Sequence, residues 1–151
     1  MNNTELEDFI KALDIECEIK SGRQYPEITV PPAGLHSLAK SLREKEETAF
    51  DYLVCITGVD YGEDLGVVYH LSSTKYRHTI VLKVRTGDRK NPHFDSVSDI
   101  WKTADFHERE AYDLMGIKFN GHPDLRRLFL DKSWGFPQRK DYVDDINIVT
   151  K

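Results

Sequence analysis

One stretch of this chain, residues 105–142, combines many charges with many aromatic side chains, and that combination restricts what it can form. It holds seven acidic and seven basic side chains, together with seven of the sixteen aromatic residues in the chain. A solvated surface has such charges without the aromatics, whereas a hydrophobic core has the aromatics without the charges. Side chains of both kinds must therefore pair internally or be buried against another surface. The composition predicts a protein–protein interface of ion pairs and aromatic anchors.

The overall composition is typical of one globular domain of 151 residues, with 39% hydrophobic and 31% charged residues. No apolar run reaches the roughly 18–20 residues of a transmembrane helix, and the acidic residues near the start argue against a signal peptide. Cys17 and Cys55 form no CxxC or Cys/His cluster, so we expect no iron–sulfur cluster or zinc held by this chain alone. The sequence contains no basic patch with interleaved aromatic residues of the kind that binds nucleic acid.

The spacing of apolar residues predicts an α+β fold with a mostly antiparallel or mixed sheet, flanking helices and an extended, irregular C-terminal tail. Three consecutive strands without an intervening helix indicate an antiparallel meander. Ser96, with Asp99 three residues on, resembles a cap and predicts a helix starting at Val97. We expect one core domain over residues 1–115 and a docking tail over residues 116–151. The other expected helices are at 4–13, 33–47 and 105–115, and the expected strands are at 16–20, 27–30, 50–60, 66–73 and 78–85.

Helical spacing over residues 107–115 places Glu108 in the middle of an apolar stripe. A buried carboxylate without a partner is costly, so it is expected to be paired. Arg126 and Arg127 are the guanidinium groups available to meet Glu108 bidentately.

The neighbouring charges of the same helix predict further contacts. Arg109 stands four residues from both Asp105 and Asp113, a spacing that favours ion pairs. Glu110 points away from Glu108 and is available to a partner. The alternative is that all of these are solvated surface charges.

Catalytic interpretations of the same segment have little support. His107 and Glu108 do not form an HExxH motif, and Glu108 and Glu110 lie on opposed faces of the helix. The residues Gly121–Asp124 predict a turn, with Asp124 available to cap a following turn of helix. A stand-alone enzyme is the second hypothesis, and it would use His107, Glu108, Glu110 or His122.

The pattern ERE-x-YDLMGI-x-F-x-GHPDLRR-x-x-L, followed by a W-GFP-x-RKDY tail, resembles the C-type (30 kDa-type) subunit family of proton-translocating NADH:quinone oxidoreductase, respiratory complex I. The resemblance covers roughly residues 50–145. Two departures lie in the tail, where the segment between Trp134 and Phe136 is shortened and Gln138 replaces a common apolar residue. The motif residues that the resemblance assigns to folding and docking of the tail are Glu108, Arg109, Glu110, Asp113, Gly116, Gly121, His122, Pro123, Asp124, Arg126, Arg127, Trp134, Gly135, Pro137, Arg139, Lys140, Asp141 and Tyr142.

The resemblance implies a member of the peripheral arm that carries no cofactor and catalyses nothing by itself. FMN, iron–sulfur clusters and quinone are then expected in partner subunits. The implied partners are the D-type large subunit, which forms the quinone pocket, and the B-type and I-type iron–sulfur subunits. The implied location is the cytoplasmic face of the inner membrane, or the matrix side in an organelle.

The same resemblance leaves an alternative to the complex I subunit. The chain would then be the equivalent subunit of a membrane-bound [NiFe] hydrogenase, or of a ferredoxin- or F420-linked relative. The sequence stops soon after the motif, so we expect the version that is not fused to the quinone-pocket subunit.

Overall fold

The structure is a computed structural model, and it describes residues 2–144. The α+β class predicted from the sequence is confirmed. A 3₁₀ turn at Pro32–Gly34 leads into the second helix. The described residues form helices α1 (Asn3–Lys11), α2 (Leu35–Glu44) and α3 (Ala104–Met115), and strands β1 (Glu18–Ser21), β2 (Pro26–Thr29), β3 (Tyr52–Asp60), β4 (Leu65–Ser72), β5 (Thr79–Thr86), β6 (His93–Asp95) and β7 (Lys118–Asn120).

Five of the strands form one mixed sheet in the order β1-β2-β5-β4-β3. Strands β3, β4 and β5 make the predicted antiparallel meander. Strand β2 pairs in parallel with β5, with Ile28 opposite Leu82. This parallel pairing is possible because α2 and two strands lie between β2 and β5 in the chain, which is long enough for a crossover.

All three helices cover the same face of the five-stranded sheet. Alternate residues of β4, such as Val67 and Tyr69, are buried in one cluster with Leu6 of α1. The intervening β4 residues, Val68 and His70, lie on the other face and are only half buried. The predicted stripe of α2 is buried in this cluster as well, at Leu35, Leu38, Ala39 and Leu42.

Helix α3 approaches β3 closely at Gly58. A Cβ atom at this position would lie 2.9 Å from Cγ of Met115, so a larger residue would push the helix from the sheet. The helix ends at Gly116, as predicted. Its φ of +70° is the left-handed conformation common after a helix, and its N–H donates to the Tyr112 carbonyl at 2.9 Å.

The two short strands β6 and β7 were not predicted. They pair in parallel, with Phe94 opposite Phe119, and both rings are buried. The predicted helix at Val97 is wrong, because residues 97–103 form turns and α3 begins at Ala104. The Ser96 hydroxyl that resembled a cap donates instead to a side chain of α3.

From Gly121 to Asp144 the chain contains turns and extended segments without a helix or strand, which confirms the irregular tail. The remaining residues of the predicted tail, 145–151, lie outside the described part of the chain. The division at residue 116 into a core and a docking tail stays a prediction. Within residues 2–144, no helix is long and apolar enough to cross a membrane.

Candidate docking interface

Glu108 is completely buried where α3 meets the segment after β6. The Ser96 hydroxyl donates to its Oε2 at 2.6 Å, and the Val97 N–H donates to its Oε1 at 2.8 Å. Burial raises the pKa of Glu108 to about 7, against the lowering effect of these two hydrogen bonds. The burial predicted from helical spacing is therefore confirmed. The predicted ion pair with Arg126 or Arg127 is wrong, because both guanidinium groups bind elsewhere.

His122 ties the turn after β7 to the first turn of α3. Its Nδ1 accepts a hydrogen bond from the Asp124 N–H at 3.0 Å, so the ring proton is on Nε2. That Nε2 donates to the Asp105 carbonyl at 3.1 Å and lies 3.9 Å from Oε2 of Glu108. The predicted helix cap by Asp124 is wrong, since no helix follows it and its carboxylate accepts from Arg126 Nε at 2.8 Å.

Arg109 is buried and its guanidinium group faces the tail. Its Nε and Nη2 each donate at 3.2 Å, to the carbonyls of Arg126 and Arg127 respectively. The predicted ion pairs of Arg109 with Asp105 and Asp113 are wrong, because its donors are directed at this backbone instead. A residue predicted to stabilise the helix surface thus holds the tail in place.

Asp113 is completely buried and organises the tail opposite α3. Its Oδ2 accepts from the N–H groups of Phe129 and Leu130 at 2.7 and 3.0 Å, and its Oδ1 accepts from Arg127 at 3.3 Å. The same guanidinium group donates to the carbonyls of residues 134–135 at 2.8 and 3.0 Å. The Arg127 guanidinium group and the N–H groups of Phe129 and Leu130 are therefore hydrogen-bonded inside the protein, as buried polar groups require.

A second attachment of the tail uses two residues that the sequence did not single out, Asp60 and Arg89. The Nη1 and Nη2 groups of Arg89 donate to Oδ1 and Oδ2 of Asp60 at 2.8 and 2.9 Å. The Lys140 N–H donates to Asp60 at 2.9 Å, and Arg89 lies 3.2 Å from the Asp141 carboxylate. The hydrogen bonds from Arg89 hold the pKa of Asp60 well below its usual range. No local pattern indicated the pair, because Asp60 ends a strand and Arg89 follows another.

The tail also completes the C-terminal end of α3. The Gln138 N–H and Arg139 Nε donate to the last two carbonyls of the helix at 3.1 and 2.6 Å. These carbonyls have no partner within a helix, so the contacts satisfy groups that would otherwise need water. The Phe136 ring covers Gly116, where a Cβ atom would lie 2.6 Å from the ring.

The remaining motif residues hold turns or lie at the surface of the tail. Gly121 has a φ of +80° in the turn before His122. Tyr142 packs against Gly135, where a Cβ atom would lie 3.2 Å from its ring. Pro123 is exposed and Pro137 is half buried.

Three large aromatic side chains of this region point outward, and we call them the aromatic ridge: Phe106, Phe129 and Trp134. They are 62%, 68% and 42% exposed. Neighbouring side chains fix the position of each residue. The Arg109 guanidinium lies 5.6 Å from the centre of the Phe106 ring. Asp113 accepts from the Phe129 N–H, and Arg127 donates to the Trp134 carbonyl. Exposed aromatic side chains together with arginines are typical of the centre of an interface. The described residues bring together no cluster of three metal-ligating side chains.

Comparison with known proteins identifies the family. The family model described as "Respiratory-chain NADH dehydrogenase, 30 Kd subunit" matches residues 28–145. The chain is 51% identical over 122 residues to the C/D subunit of NADH-quinone oxidoreductase from Phocaeicola vulgatus, covering 80% of this chain and 23% of that protein. It is 48% identical over 109 residues to the C subunit of NADH-quinone oxidoreductase from Chloroherpeton thalassium, covering 70% of this chain and 45% of the relative.

The chain therefore spans less than half of the length of these two relatives. A chain in the structure of an archaeal membrane-bound sulfane sulfur reductase has the same fold, with a TM-score of 0.82. The two chains are 24% identical, and the alignment covers 97% of this chain and 88% of the other. Together the motif, the fold and the sequence matches place this chain in the family of the 30 kDa subunit of respiratory-chain NADH dehydrogenase.

Proposed function

We propose that this chain is a structural component of a proton-translocating NADH-quinone oxidoreductase, in the position of the C-type subunit. The observation that carries the proposal is the aromatic ridge, which lies beside a tail held by hydrogen bonds with the buried side chains of Arg109 and Asp113. Membership of the 30 kDa subunit family and the names of the relatives support the choice of complex.

The arrangement of the tail supports docking on a partner protein. Most of the charged groups that hold the tail, such as Arg109 and Asp113, bond within the protein. A partner therefore does not need to supply charges to hold the tail in place. The three rings of the ridge remain outside this network, and burying aromatic side chains at the centre of an interface is strongly favourable. The segment from residue 116 onward acts as the docking tail in this proposal.

The burial of the titratable side chains Glu108 and His122 supports a non-catalytic role. Glu108 and His122 are the best candidates for acid–base chemistry, but both side chains are completely buried and hydrogen-bonded to the protein. A general acid or base has to come within hydrogen-bond distance of its substrate, which burial prevents here. The proposal assigns FMN, iron–sulfur clusters and quinone to partner subunits.

The proposed partners are the D-type large subunit, which forms the quinone pocket, and the B-type and I-type iron–sulfur subunits. In this position the chain holds the quinone-reducing module in shape. It reaches the cytoplasmic face of the membrane, or the matrix side in an organelle, through the complex.

The test is affinity purification of the tagged chain from mildly solubilised native membranes, followed by mass spectrometry. The expected result is recovery of the flavin- and cluster-bearing subunits of NADH dehydrogenase. A nickel-containing large subunit, or no redox protein at all, would overturn the proposal.

Substitutions in the aromatic ridge then test whether this surface contacts the partner subunits. Phe129→Ser is expected to leave the protein folded but to reduce recovery of the partners about tenfold or more, because hot-spot residues dominate interface energy. Tyr76→Ser is the matched control, since Tyr76 is exposed on another part of the protein. Equal recovery with both variants would show that the ridge is not the docking surface.

A further inference from the structure

One edge of the five-stranded sheet lacks a neighbour among the described residues. Strand β3 is the last strand in the order of the sheet. A bulge between Leu53 and Cys55 interrupts it near its start, and the tail crosses its end, where the Lys140 N–H reaches Asp60. The stretch between these two points, residues 55–58, presents unpaired backbone groups at an edge.

A groove lies between this edge and α3, and we call it the edge groove. Its volume is about 80 Å³, which is too small for a cofactor but sufficient for part of a side chain. One wall is the strand and the other is the helix, with Gln138 of the tail closing the end. The groove is lined by Ile56, Thr57, Gly58, Glu110, Ala111, Leu114, Met115 and Gln138.

Glu110 gives the edge groove its charge. It is half buried, and no cation pairs with it among residues 2–144. Three other acidic residues of the motif differ, because Asp113, Asp124 and Asp141 each pair with an arginine. A half-buried carboxylate beside an apolar wall is complementary to a lysine or arginine side chain whose stem packs against that wall.

The two edges of the sheet are built differently. Strand β1, at the other edge, is only four residues long and presents Glu18 and Lys20, paired at 3.0 Å and well exposed. Short length and charge are the usual protection of an edge against pairing. Strand β3 is nine residues long and carries Tyr52 and Val54, 53% and 45% exposed, beside the open stretch. A long edge strand with an open stretch and exposed apolar side chains is typical of a surface that receives another strand.

We infer that the β3 edge is a second docking surface, which receives an extended segment of a partner subunit as an added strand. A lysine or arginine of that segment enters the edge groove and pairs with Glu110. The inference rests on the proposed function, since the partner belongs to the same complex. The aromatic ridge and the β3 edge are then two separate contacts, one through side chains and one through the backbone.

Photo-crosslinking in the intact complex tests the location. A p-benzoylphenylalanine residue at Thr57 is expected to crosslink to one peptide of a partner subunit, while the same residue at Lys20 of the opposite edge gives no specific product. Crosslinks from Thr57 to β3 of a second copy of this chain, or no product from Thr57, would overturn the inference. If the partner subunits are recovered in that experiment, the proposed function stands even when the inference fails.

The pairing with Glu110 has its own test by competition. Glu110→Gln, expressed beside the wild-type chain, is expected to enter the complex about tenfold less than wild type, as for loss of one charge-assisted hydrogen bond. Glu47→Gln is the control, because Glu47 is exposed on a different part of the chain. Hydrogen exchange provides an independent readout, with slower exchange of the amides of residues 55–58 in the complex than in the isolated chain. Equal incorporation and unchanged exchange would contradict the inference.

Discussion

The Arg89 guanidinium group donates to the Asp60 carboxylate through two hydrogen bonds of 2.8 and 2.9 Å, although Asp60 ends β3 and Arg89 lies in the loop after β5. The same pair receives the tail, since Asp60 accepts from the Lys140 N–H and the Arg89 carbonyl accepts from Arg139. The strand meander and the tail are therefore joined at one point. The position of the tail thus depends on residues outside the sequence motif.

Arg89→Ala is expected to release the tail without unfolding the sheet. The change removes the partner of Asp60 and the ion pair with Asp141, and the tail then opens locally. Limited proteolysis of the isolated chain should cut within residues 131–144 about tenfold faster than in wild type, if cleavage follows the open population. Arg126→Ala is the control, because within residues 2–144 the ion pair of Arg126 is with the exposed Asp124. Equal cleavage of the two variants would contradict this role of Arg89.

Glu108→Gln is expected to change how stability depends on pH. The pKa of Glu108 is raised from 4.5 to about 7, so the folded protein keeps a proton that the unfolded chain loses. The free energy of unfolding of the wild type therefore falls as pH rises through this window, by up to about 3 kcal/mol. The glutamine variant has the same shape and no titration, so this part of the slope should disappear. Urea unfolding at pH 5, 6, 7 and 8 measures it, and an unchanged slope would refute the prediction.

Arg127→Ala and Arg126→Ala are expected to differ sharply, although the residues are adjacent. Arg127 is mostly buried and pairs with the buried Asp113, which its removal leaves without its cation. We expect a loss of about 2–4 kcal/mol in the free energy of unfolding. Arg126 and Asp124 are both exposed, so Arg126→Ala should leave the urea midpoint unchanged. Equal effects of the two substitutions would show that the Asp113 contact does not stabilise the fold.

Gly116→Ala is expected to be far more damaging than Gly121→Ala. Both glycines have positive φ, at +70° and +80°, so alanine costs about 1 kcal/mol of backbone strain at either site. At Gly116 the new Cβ atom would also lie 2.6 Å from the Phe136 ring, whereas Gly121 faces open space. Thermal unfolding of the two variants compares the costs, and a similar fall in Tm would show that Phe136 moves away freely.

Helical spacing predicted the burial of Glu108 correctly and its partner incorrectly. The spacing of residues along a helix shows which face a side chain shares, but not which segment lies across from that face. The structure places Ser96 and Val97 there, while Arg127 bonds to Asp113 on the next turns of the helix. Strands β6 and β7 were missed for a similar reason, since each is three residues long and only one side chain of each faces the core.

The sequence by itself determined the family, the elements with strong periodicity and the burial of Glu108. These depend on the order of neighbouring residues, because the repeat of a helix or strand and the match of a long motif are local properties. Tertiary structure alone decided that Arg89 meets Asp60, that Arg109 binds the tail backbone and that β3 forms an open edge. Such contacts join residues distant in the chain, and the packing of whole elements brings them together, which no local pattern records.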